Sequence, residues 1–189
     1  TNVSLIYVIP TIVLGAFINS IFVTLLIFVI RKKLLQEHRK VYVIEYLKKH
    51  SIYVFLFNLL IYFLIFLIYI IFTNTRVSFF IPILTIIILV INFYTIQSIV
   101  IDEKNIFSGI SYAVFFLKKN FLKTIILILV LTILYFLISL IAFYFSFGWI
   151  ISMILYTLFF YPFLEIVKTI IYLTKYEIVK SYLQIIYFL

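Results

Sequence analysis

Apolar residues in this chain come in five long runs, each closed by a short polar or basic stretch. The first spans about Val3 to Ile30, is interrupted by Pro10, Gly15, Asn19, Ser20 and Thr24, and stops at Arg31-Lys32-Lys33. The second runs from about Ser51 to Phe72 and the third from about Phe79 to Val100, with Pro82 in its early turns. The fourth covers about Phe121 to Phe145, and the fifth, from Trp149 to about Tyr172, contains Pro162, Glu165 and Lys168. About 20 apolar residues suffice for a helix to cross the hydrocarbon of a bilayer. In hydrocarbon every backbone polar group needs a partner within its own segment, so unbroken runs predict helices. The apolar-polar alternation of a lipid-facing barrel is absent. The pattern predicts an all-α polytopic membrane protein with five transmembrane helices.

Between the runs the chain repeats itself. Tyr42-Val-Ile-Glu-Tyr-Leu-Lys-Lys-His50 returns as Tyr112-Ala-Val-Phe-Phe-Leu-Lys-Lys-Asn120, a period of about 70 residues, and a third echo begins at Ser181-Tyr182. Each full copy is followed by more than twenty almost uninterrupted apolar residues. On a helical wheel Glu45, Lys48 and Lys49 share one arc, and Lys104, Ser108, Ser111, Lys118 and Lys119 share another with Phe115 as the misfit. Such segments predict two or three amphipathic interfacial helices. The implied unit is interfacial helix, crossing, short turn, crossing. Residues 41–101 and 111–172 make full units of one membrane domain. Residues 1–30 read as the second half of an earlier unit and 176–189 as the start of a later one, which suggests a longer natural chain. Both units run in the same direction, so the repeat is parallel.

Composition sharpens this. The 189 residues are 67% hydrophobic and 11% charged, against about 25% charged in soluble domains. The net charge of +9 gathers at the ends of the apolar runs. Anionic lipid head groups are therefore the expected partner, through Arg31, Lys32, Lys33, Lys48, Lys49, Lys118 and Lys119, and nucleic acid is not. Lysine and arginine fill the connectors at 31–50 and 102–123 and follow the fifth run, whereas the opposite turns hold only Arg76. By the positive-inside rule this predicts a multi-pass cell-membrane protein with its connectors and C-terminus cytoplasmic and Thr1 outside. Tyr7, Phe79, Phe80, Tyr144 and Trp149 would form an aromatic belt at the external boundary. With no cysteine, disulfides and thiolate chemistry are excluded.

The unit Tyr-x-x-x-Phe-Leu-Lys-Lys-Asn followed by a long apolar run resembles a loose class of prokaryotic multi-pass membrane proteins. The membrane domain attached to some glycerophosphodiester phosphodiesterases is an example. The resemblance implies a basic interfacial helix before each hairpin and carries no catalytic residue to this chain.

Few residues offer chemistry. Glu165 is an intramembrane carboxylate, a default candidate for proton relay or ion binding. Lys168, one turn on, offers it a structural ion pair. Asn19, Ser20 and Thr24 in the first run and Asn92, Thr95, Gln97 and Ser98 in the third are the remaining intramembrane polar groups; Asn92, Thr95 and Ser98 are spaced to share a face. They could line a polar path, and such residues also bond across helix interfaces. His38 and His50 fall in the first connector, outside the crossings, and match no metal-ligand spacing. No catalytic, cofactor or metal site is expected. The sequence predicts a non-catalytic accessory or structural subunit that packs against other membrane protein subunits or copies of itself. The alternative is a small transporter or permease-like domain using Glu165, Asn92 and Gln97.

Overall fold

The computed structural model describes residues 5–34, 42–73, 78–144 and 147–175. The described residues are almost all helical, with no strand among them, and five stretches are long and apolar enough to span a membrane: Ile9–Leu34, Val43–Thr73, Phe80–Ile101, Phe121–Leu140 and Ile150–Leu173. The predicted tail helix at 176–189 and the predicted turn containing Arg76 lie outside the described residues. So do His38 and the side chains of Tyr7, Tyr144 and Trp149.

Three of the spans are single helices, the first two being α1 (Leu5–Leu34) and α2 (Val43–Thr73). The third span is broken into α3 (Phe80–Ile91) and α4 (Thr95–Ile101). Asn92 makes the break. Its side-chain Nδ2 donates to the Ile88 carbonyl at 2.8 Å, where the backbone N–H of Asn92 also bonds at 3.1 Å. A side chain that competes for the helix's own carbonyl in this way favours termination. Phe93 N–H then closes a tight turn onto Val90 O at 3.2 Å, and α4 restarts at Thr95. Asn92 thus caps α3 while Thr95 and Ser98 belong to α4. Thr95 Oγ1 still reaches Asn92 Oδ1 at 3.4 Å across the break.

After α4, α5 (Ile106–Lys119) starts at Asn105, whose side chain accepts from Ser108 N–H at 2.9 Å, the usual N-cap geometry. Asn120 ends it, with backbone N–H and Nδ2 both on Phe116 O. Then α6 (Phe121–Tyr144) begins. The fifth span consists of α7 (Gly148–Leu155), a π turn at Tyr156–Phe160, and α8 (Tyr161–Leu173). Pro162 accounts for the π turn. It has no N–H to give, and its ring would collide with the carbonyl four residues back. The chain widens instead, and Tyr161 N–H bonds to Tyr156 O, five residues back.

The interfacial segment expected at 41–50 is not a separate helix. Residues 43–50 are the first turns of α2 and run directly into the crossing. The equivalent stretch of the second unit is the separate helix α5. The difference lies at one repeat position: asparagine at 120 breaks the helix, and histidine at 50 continues it.

All seven residues of α4 are buried, while α3 buries none. Around α4 pack α1, α2, α5 and α8. Tyr94, Phe116 and Tyr172 form an aromatic cluster with centroids 4.7 to 6.0 Å apart, joining the start of α4 to α5 and α8. The close approach of α5 needs Gly109, where a Cβ would meet Ile99 Cγ1 at 2.9 Å. The core sits at the connector end of the bundle. Toward the other end the helices expose apolar surface, including Phe63, Tyr69, Ile86, Phe136 and Phe159.

Candidate functional site

Glu165 and Gln97 meet inside this core. Gln97 is carried by α4 one turn after the break at 92–94; Glu165 is carried by α8 one turn after the π turn. Gln97 Nε2 donates to Glu165 Oε2 at 2.9 Å, and Lys168 Nζ donates to Glu165 Oε1 at 2.8 Å. Glu165 and Gln97 are 2% and 0% exposed. Both carboxylate oxygens are thus engaged inside the protein, one by a cation and one by an amide. Lys168 also lies 5.0 Å from the centroid of Phe93, a cation–π contact that helps hold a buried ammonium. Thr169 Oγ1 donates to the backbone carbonyl of Glu165 at 2.7 Å. A buried ion pair is tolerated only with such supplementary bonds.

The other intramembrane polar candidates go elsewhere. Asn19 accepts from Tyr161 OH at 2.7 Å, tying α1 to α8. Asn92 caps α3 and accepts weakly from Thr95 at 3.4 Å. The structure brings together Glu165, Lys168 and Gln97, and leaves Asn92 and Asn19 in separate contacts.

A second polar centre lies at the loop between α4 and α5. Asp102 accepts from Tyr172 OH at 2.5 Å and pairs with Lys175. Glu103, with positive φ of 54°, pairs with Lys49 and stands 3.9 Å from Arg31. Tyr46 OH donates to Val100 O at 2.7 Å and receives Arg31 Nη1 at 3.4 Å. Two adjacent carboxylates therefore clamp the ends of α1, α2 and α8. The Lys49 ammonium bonded to Glu103 holds its carboxyl below the usual glutamate range, against the opposing effect of partial burial. Burial pushes the Lys175 ammonium below the usual lysine range, against the pull of Asp102. Of the basic residues expected to meet lipid, Arg31 and Lys49 are engaged within this clamp. Lys32, Lys33, Lys48, Lys118 and Lys119 are exposed.

The sequence reading missed Tyr46, Asp102, Glu103 and Tyr172. It also placed His50 outside the crossings. In fact His50 is 2% exposed on the inner face of α2, in line with Tyr46, Val54, Phe57 and Ile61.

Comparison with family models, curated proteins and solved structures yields no match to this chain. Among the described residues no group of three or more His, Asp or Glu side chains could hold a metal ion. Two surface depressions are apolar grooves. One, of about 260 Å³, lies between α6 and the π turn beneath Phe93; the other, of about 490 Å³, lies between α1 and α2 around Gly15 and Tyr62.

Proposed function

We propose that this chain is a non-catalytic integral membrane protein that packs as an accessory or structural subunit in a larger membrane complex or homo-oligomer. Its connectors face the cytoplasm, as the distribution of lysine and arginine argues. The observation that carries the reading is the state of Glu165: both carboxylate oxygens are bonded to Lys168 and Gln97 within the same chain. An intramembrane acid so engaged locks helices together. Exposed Lys32, Lys33, Lys48, Lys118 and Lys119 supply cations for anionic head groups at the connector end. The exposed apolar faces at the opposite end offer surface to lipid or to neighbouring subunits.

Purification in mild detergent tests this. Recovery in a stoichiometric assembly, with itself or with other membrane proteins, is the expected result. A stable monomer whose melting temperature rises on adding a solute would overturn it.

One observation favours a second reading, a small transporter-like domain. Two crossings are discontinuous, at Asn92–Tyr94 and at Tyr156–Phe160, and each break lies one turn from a member of the Glu165 cluster. Discontinuous helices frame the binding sites of many transporters. Solute-dependent stabilisation that disappears in Gln97→Leu would favour this reading over the first.

A further inference from the structure

The core holds buried polar atoms that have no hydrogen-bond partner among the described residues. Three of them are His50 Nε2, Thr24 Oγ1 and Gln97 Oε1, on residues 2%, 0% and 0% exposed. Leaving such a group unpaired costs about 1–3 kcal/mol, so three on three adjoining helices call for a physical account.

Their helices place them in one layer. Phe28 of α1 packs on Tyr46 of α2 at 4.6 Å between centroids, and Tyr46 OH bonds to Val100 O of α4. Thr24 lies four residues before Phe28, His50 four residues after Tyr46, and Gln97 three before Val100. Each step is one helical turn in the same direction, into the bundle and away from the clamp. The orientation of the Gln97 amide is also determined. Only its NH₂ can face the Glu165 carboxylate, so Oε1, an acceptor, points away from it.

We propose that His50 is a proton-binding site in the core, and that Thr24 Oγ1 and Gln97 Oε1 are the acceptors that the imidazolium engages. A proton arriving at Nε2 forms one N–H bond and breaks none in the protein. The new donor reaches Thr24 or Gln97 after a small rotation of the ring or through one bridging water. Of the charged groups around His50, Glu103 in the loop attracts the proton, while burial and the Lys49 and Arg31 cations on α2 and α1 oppose it; the Tyr46 ring lies tilted against the imidazole at 4.4 Å between centroids. From α8, the Glu165–Lys168 pair stands beyond Gln97. α3 carries no titratable residue, and α5 carries Tyr112, Lys118 and Lys119 on its exposed side. Histidine is the side chain whose ordinary titration lies nearest physiological pH. This inference goes beyond the subunit reading: it gives the packed core a response to protons.

The test uses the full chain in lipid nanodiscs with ¹⁵N-labelled histidine in a His38→Gln background, so that His50 alone reports. On acidification its ring nitrogens should shift to the imidazolium position while the protein stays folded, and the ring N–H should correlate with the Thr24 or Gln97 side chain. In Thr24→Val the midpoint should fall by about one pH unit, the equivalent of one lost hydrogen bond to a charged group. An unchanged midpoint in Thr24→Val overturns the assignment of the acceptors. Should that variant not fold, the parent chain decides: ring signals that stay constant down to unfolding, or imidazolium formation without a correlation to the Thr24 or Gln97 side chain, overturn the proposal.

Discussion

Gln97 and Glu165 stand 68 residues apart in the chain and share one buried hydrogen bond of 2.9 Å. The bond joins two helices that each restart just before it, α4 after Asn92–Tyr94 and α8 after the π turn. A carboxylate that receives an amide on one oxygen and an ammonium on the other is a junction between helices, and its neighbours respond accordingly.

Removing one partner of this pair should cost more than removing both. Lys168→Met leaves Glu165 buried without its cation, at a cost of about 3–5 kcal/mol. The double variant Glu165→Leu with Lys168→Met should recover most of that loss. Unfolding in detergent, followed by circular dichroism, checks the order of the three proteins.

The two glycines on α5 and α1 should differ. At Gly109 an added Cβ would press on buried Ile99, so Gly109→Ala should destabilise by about 1–3 kcal/mol. At Gly15 nothing lies within 4 Å, and alanine is the better helix former, so Gly15→Ala should be neutral or stabilising by up to about 1 kcal/mol. Thermal melts of the two variants measure both.

Stability should fall as acid neutralises the clamp. Glu103 is held below its ordinary range by Lys49, so its contribution is complete above the unfolded value for glutamate and is lost as pH drops through the lower folded value. Glu103→Gln should lower stability at neutral pH and flatten the acid limb. Added salt should weaken the effect, since Lys49 and Glu103 are largely exposed. Melting temperature against pH, for parent and variant, reads this out.

Tyr46→Phe should cost about 1 kcal/mol through the lost bond to the Val100 carbonyl. The packing of the ring on Phe28 and His50 remains. A larger loss would mean that the contact of Arg31 with this hydroxyl matters beyond its length of 3.4 Å.

Orientation is open to a direct measurement because the chain has no cysteine. In cells, a single cysteine at Lys32 or Lys118 should resist a membrane-impermeant thiol reagent, and one at Phe79 should react. The reverse pattern would invert the proposed topology.

Five apolar runs and their charged ends were legible without coordinates, because length and hydropathy alone decide whether a segment can cross a bilayer. The Glu165–Lys168 pair was equally legible, since residues three apart on a helix meet whatever surrounds them. Nothing local identified Gln97 as the second partner of Glu165, or Asp102 and Glu103 as the clamp on α1, α2 and α8. Those contacts depend on which helix lies beside which, and apolar runs of similar composition do not specify their neighbours. The break at Asn92 and the burial of His50 likewise emerged only from packing: a polar side chain near a helix end can cap, face lipid head groups or turn inward, and the adjoining helices decide among the three.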